Sequence, residues 1–111
     1  MQVQIKTKNN LIIAKLIGEL DHHAASKARD KLQEVIINKA IKNLIFDLNE
    51  LTFMDSSGIG MIIGRYKLIS ALGGSVKIVC KNVQIKKLIT MSGLRRLINV
   101  YDEFDEIAEN I

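Results

Sequence analysis

Apolar residues recur along this chain in two rhythms, one of period two and one of three to four, and the switches between them lay out its elements. Val3 and Ile5 alternate with polar neighbours as in a half-buried strand. Asn9-Asn10 forms a turn pair, and L-I-I-A-K-L-I from Leu11 to Ile17 is a second strand that Gly18 ends. Together they predict an antiparallel hairpin. From His22 to Asn38 the rhythm is helical: Ala25, Ala28, Leu32, Val35 and Ile36 make one face, and Lys27, Asp30, Lys31 and Glu34 the other. Asp21 is its natural N-cap, because a short carboxylate accepts from the free N–H groups of the first turn. A strand from Asn43 to Leu48 follows. A second helix opens at Ser56 or Ser57 and runs to Leu72, with Ile59, Ile62, Ile63, Tyr66 and Ile69 inward and Gly73-Gly74 as its stop. Val76 to Cys80 reads as a fourth strand. Asn82 caps a short third helix carrying Ile85, Leu88 and Ile89, with Gly93 at its end. A strand from Leu97 to Val100 precedes a last helix, opened by Asp102 and carrying Phe104, Ile107, Ala108 and Ile111.

Strands joined through single helices pair in parallel by right-handed crossovers. The order therefore predicts an α/β fold: a mixed, mostly parallel sheet of about five strands, an N-terminal antiparallel hairpin and about four helices. The turns around Asp21, Ser56 and Asn82 should open at one end of this sheet. That makes Glu19, Asp21 and Asp55-Ser56-Ser57 near neighbours, at the edge where open α/β sheets bind ligands and partners. There is no internal repeat, no low-complexity stretch and no proline, so residues 1–111 read as a single domain.

Composition narrows the function. With 5% aromatic residues and no Trp, the core is aliphatic. The single cysteine, Cys80, cannot form an internal disulfide and fits a reducing, cytoplasmic setting. No apolar run reaches the roughly 18–20 residues of a membrane span, and M-Q-V-Q-I-K-T-K lacks a signal peptide's apolar segment. The net charge of +4 is scattered. Its densest pairs, Lys86-Lys87 and Arg95-Arg96, have no interleaved aromatics and read as solvated helix faces, which predicts neither a nucleic-acid nor a membrane partner.

The chemistry concentrates in F-M-D-S-S-G-I-G-M-I-I-G-R-Y-K, from Phe53 to Lys67. Here a strand turns into a helix, whose N-terminus has unpaired N–H groups and a partial positive charge. Asp55 or Ser56 can serve as a plain helix cap. A serine exposed at the same place can also carry a phosphate, and the two readings are compatible. A serine nucleophile is not supported, because M-D-S-S-G lacks the G-x-S-x-G elbow and no pattern fixes His22 or His23 against the serine. Gly58, Gly60 and Gly64 are spaced G-x-G-x-x-x-G, one residue too long for the dinucleotide fingerprint. They read as close helix–strand packing and a flat surface suited to protein docking. A small nucleotide-binding or nucleotide-hydrolysing domain using the Gly58/Gly60 turn is the alternative. Consecutive histidines point about 100° apart on a helix and cannot chelate as an i, i+4 pair, so no metal or cofactor is predicted.

G-E-L-D-H-H (Gly18 to His23), the D-S-S-G-I-G turn, G-R-Y-K and M-S-G-L (Met91 to Leu94) together resemble the anti-sigma factor antagonist family, the STAS domain proteins. The likeness spans essentially the whole chain and is nearest the sporulation branch. It implies a STAS-like fold and a binding protein, not an enzyme. In that family the unphosphorylated antagonist binds an anti-sigma factor that is a serine kinase and releases the sigma factor. The kinase phosphorylates the first serine after the aspartate, which is Ser56 here, and a serine phosphatase reverses it. The resemblance places Asp21, Asp55, Ser56, Ser57, Gly58 and Gly60 on the docking surface.

Overall fold

The computed structural model describes residues 1–109. Its elements are β1 (Gln2–Lys8), β2 (Leu11–Leu20), α1 (His22–Asn38), β3 (Asn43–Met54), α2 (Ser56–Ala71), β4 (Ser75–Val79), α3 (Val83–Met91), a single 3₁₀ turn at Leu94–Arg96, β5 (Asn99–Tyr101) and α4 (Phe104–Glu109). The five strands lie side by side in chain order, β1-β2-β3-β4-β5. β1 pairs antiparallel with β2, and every later pair is parallel.

Alternation along each strand divides the residues between two faces. Ile12, Ala14 and Leu16 of β2, Leu44, Phe46 and Leu48 of β3, and Val76 and Ile78 of β4 face the main core. Leu32 and Ile36 of α1, Ile62 and Ile69 of α2, and Ile85 and Ile89 of α3 close over them. The intervening residues turn the other way, where Ile45 and Val79 meet Ile107 of α4. Three helices thus cover one face, and α4 patches part of the other. Each fully buried Leu, Ile or Phe stabilises the fold by about 1.5–3 kcal/mol relative to exposure.

The last helix opens at Phe104, not at Asp102, and β4 lies one residue earlier than expected; three other boundaries differ more. β2 does not stop at Gly18 but runs to Leu20, with Gly18 held at φ +101°, a conformation that glycine adopts without strain. β3 does not stop at Leu48 but continues to Met54. Between Lys15 and Ile17, and again between Gly18 and Glu19, β3 holds one residue more than β2 opposite it. These bulges break the alternation that would reveal a strand. The last strand is displaced, because Leu94–Arg96 winds into a 3₁₀ turn and pairing begins only at Asn99. Ala108 and Ile111, expected inward on the last helix, lie outside the described side chains.

Candidate functional site

β4 pairs with β3 only as far as Asp47 opposite Val79, so beyond that point β3 has β2 alone for a neighbour. The β2–β3 pair projects past the sheet and ends where Leu20 stands opposite Met54. α1 and α2 both start there. Asp21 caps α1, its carboxylate accepting from the Ala24 N–H at 2.9 Å. Asp55 caps α2, accepting from Ser57 N–H at 2.9 Å and Gly58 N–H at 3.4 Å. Ser56 follows as the first residue of α2, exposed to solvent. Among the described hydrogen bonds its hydroxyl makes none.

The predicted neighbours are therefore partly assembled and partly separated. Asp21 and Asp55 flank the tip, each one residue beyond the end of its strand. Asn82 caps α3 as expected, through Gln84 N–H at 2.9 Å and Ile85 N–H at 3.2 Å. However, its side chain donates to the Leu51 carbonyl at 3.2 Å, three residues short of the tip. That sets the third turn back by roughly 10 Å. The two histidines diverge. His23 lines a groove with Glu19, Asp21, Lys27 and Lys31. His22 turns toward α2, its Nδ1 3.2 Å from Ser57 Oγ.

The glycines of the serine turn have distinct roles. Gly58 is buried: a Cβ there would stand 2.6 Å from Met54 Cγ and 2.9 Å from Leu20 Cδ2. It lets α2 seat against the strand tip and is too covered to cradle a phosphate, which removes the main support for the nucleotide alternative. Gly60 has no neighbour within 4 Å of such a Cβ and leaves bare surface beside the serines. Phe53, on the same tip, exposes nearly half its surface. Because all three parallel crossovers wind in one direction, the sheet has no reversal of strand order and no crevice of the kind that holds dinucleotides. The strand tip itself is a protrusion. Among the described residues no cluster of His, Cys, Asp and Glu could hold a metal ion.

One residue here escaped the sequence pattern. Arg65 of α2 is buried, while Ile63 and Tyr66, expected inward, are only half-buried. Burial, and after it the charge of Arg29, lowers the pKa of the Arg65 guanidinium. The spacing Gly58, Met61, Ile62, Arg65, Ile69 is itself a helix face and could have located it.

The STAS domain family model matches residues 2–107, and the chain belongs to that family. Within it, the chain is 37% identical over 102 residues to the anti-sigma F factor antagonist of Paenibacillus polymyxa, covering 92% of this chain and 87% of that one. The fold superposes on the anti-sigma factor antagonist SpoIIAA in its unphosphorylated form with a TM-score of 0.78 at 27% identity, covering 98% of this chain and 96% of that one. It also superposes on the Bacillus cell fate determinant SpoIIAA in the phosphorylated form, with a TM-score of 0.77 at 29% identity and coverage of 99% and 100%.

Proposed function

We propose that this chain, as one domain over residues 1–111, is an anti-sigma factor antagonist controlled by phosphorylation of Ser56. It acts by binding, not as an enzyme. In its unphosphorylated form it binds an anti-sigma serine kinase and releases the sigma factor, as a step in a cytoplasmic sporulation programme. Phosphate on Ser56 turns the binding off, and a serine phosphatase restores it. Asp21, Asp55, Ser56, Ser57 and Gly60 form the docking surface, and Gly58 supports it from beneath.

The observation that carries this reading is the exposed Ser56 hydroxyl, first in α2, on a tip that projects from the sheet. Asp55 already accepts from Ser57 and Gly58, so a phosphate on Ser56 would add charge beside a carboxylate without being required for the helix. It adds about −1.5 to −2 charges and three acceptor oxygens. Solvent and the helix N-terminus accommodate that anion in the free chain. Enclosed in a protein interface beside Asp55, it costs several kcal/mol, and each ~1.4 kcal/mol is tenfold in affinity. The fold is retained while the complex is lost.

The test is intact-mass spectrometry of the chain and of Ser56→Ala after incubation with the host's anti-sigma kinase and ATP. One added phosphate on the wild-type chain and none on the variant supports the switch at this residue. Labelling that persists in Ser56→Ala moves the site to Ser57. No phosphate on the wild-type chain, with the kinase active on another substrate, overturns the reading.

A further inference from the structure

Arg65 is 7% exposed, and its Nε and Nη1 are buried without a hydrogen-bond partner. A guanidinium remains protonated in proteins, and an interior charge is costly unless something pairs with it. Among the described ion pairs none involves Arg65, and Asp30 is paired instead with Arg29 at 3.1 Å. The Arg65 side chain lines a cleft of about 420 Å³ between α1 and α2. The polar groups around it are Arg29, Ser26, His22 and Ser57, and no carboxylate lines it. Arg29 already donates to Asp30 at 3.1 Å and to Ser26 Oγ at 3.4 Å, and His22 and Ser57 bond each other at 3.2 Å. The free donors left for a ligand are therefore the remaining N–H groups of the two guanidinium groups and the rim hydroxyls. Gly60, without a side chain, keeps the mouth open.

We propose that this cleft is a binding site for a tetrahedral oxyanion of the phosphate class, held by Arg65 and Arg29 with Ser26, Ser57 and His22 at its rim. Arg65 brings a positive charge with no described ion pair and Arg29 a second one that Asp30 partly offsets, and guanidinium N–H groups suit the oxygens of a tetrahedral anion in geometry. An anion seated there offsets the buried charge of Arg65, which has no partner among the described ion pairs. The site does not depend on phosphorylation of Ser56, because Ser56 does not line it.

The experiment titrates inorganic phosphate into the unmodified, ¹⁵N-labelled chain and follows the arginine Nε–Hε resonances. Sodium chloride at matched ionic strength runs alongside. The expected result is a saturable shift of the Arg65 and Arg29 signals with phosphate and none with chloride. Arg65→Met keeps the packed stem and should abolish the response. Arg29→Gln alters an exposed residue, so folding is retained whatever position 65 tolerates, and it should weaken binding about tenfold or more, as loss of a charge-assisted hydrogen bond does. Shifts that never saturate, that chloride reproduces, or that Arg29→Gln leaves unchanged would overturn the proposal.

Discussion

Gly58 and Gly60 lie two residues apart in one helix, yet alanine should move stability in opposite directions at the two positions. In a helix interior, Gly→Ala gains up to about 0.8–1 kcal/mol through reduced backbone freedom in the unfolded chain. At Gly60 the new methyl meets nothing within 4 Å, so that gain should appear nearly whole. At Gly58 it would stand 2.6 Å from Met54 Cγ and 2.9 Å from Leu20 Cδ2, far inside the ~3.5–4.0 Å optimum for carbon pairs. Leu20 is fully buried and Met54 nearly so, which leaves neither a free side to retreat to. Overpacking of this kind costs about 1–3 kcal/mol, and subtracting the propensity gain leaves Gly58→Ala destabilised by about 0–2 kcal/mol. The two variants should therefore differ by about 1–3 kcal/mol in urea unfolding at unchanged m-value. A Gly58→Ala chain as stable as Gly60→Ala would refute the close seating of α2 on the strand tip. The binding consequence is also reversed, because Gly60→Ala adds bulk to the proposed docking surface and should weaken the kinase complex while strengthening the fold.

Asp55→Ala removes the acceptor for two N–H groups and should cost about 1 kcal/mol in thermal unfolding, with Asp55→Asn recovering most of it; an unchanged melting point for the alanine variant would count against the cap. Ser56→Asp should fold like the wild-type chain and bind the anti-sigma kinase weakly in calorimetry, so tight binding would sink the electrostatic account. Burial pushes the Cys80 thiol pKa up, so a thiol reagent at about pH 8 should label it only as fast as the chain unfolds. By linkage, the folded chain holds that proton more tightly than the unfolded one. The associated stability is present below the unfolded thiol's pKa of about 8.5 and falls as pH rises beyond it, whereas a Cys80→Ala chain should lose this slope.

Local signals made most of the fold legible. The caps Asp21, Asp55 and Asn82 were readable because a cap and its N–H partners lie within three residues of one another. The helix stops at Gly73 and Gly93 were readable because both glycines adopt positive φ, where other residues are strained. The strand tip was not, since N-E-L-T-F carries polar residues and its bulges erase the period of two. At the site, the serine turn could be read from spacing alone. The approach of His22 to Ser57 could not, because it spans 35 residues and depends on how α1 packs against α2. Arg65 was overlooked for a different reason: its spacing puts it on the buried face of α2, but a charged residue there is ordinarily assigned to solvent.

The order of the strands across the sheet bears on how the molecule is made. β1 to β5 stand side by side in the order in which they are translated, so each strand emerging after its predecessor finds its only earlier neighbour already synthesised. Each parallel pair closes a loop no longer than one crossover helix and its turns, which keeps the entropy of closure modest. The hairpin can form first, and every helix–strand unit then adds to a growing edge while the rest of the chain is still being made. No strand has to wait for a later one to be inserted beside it.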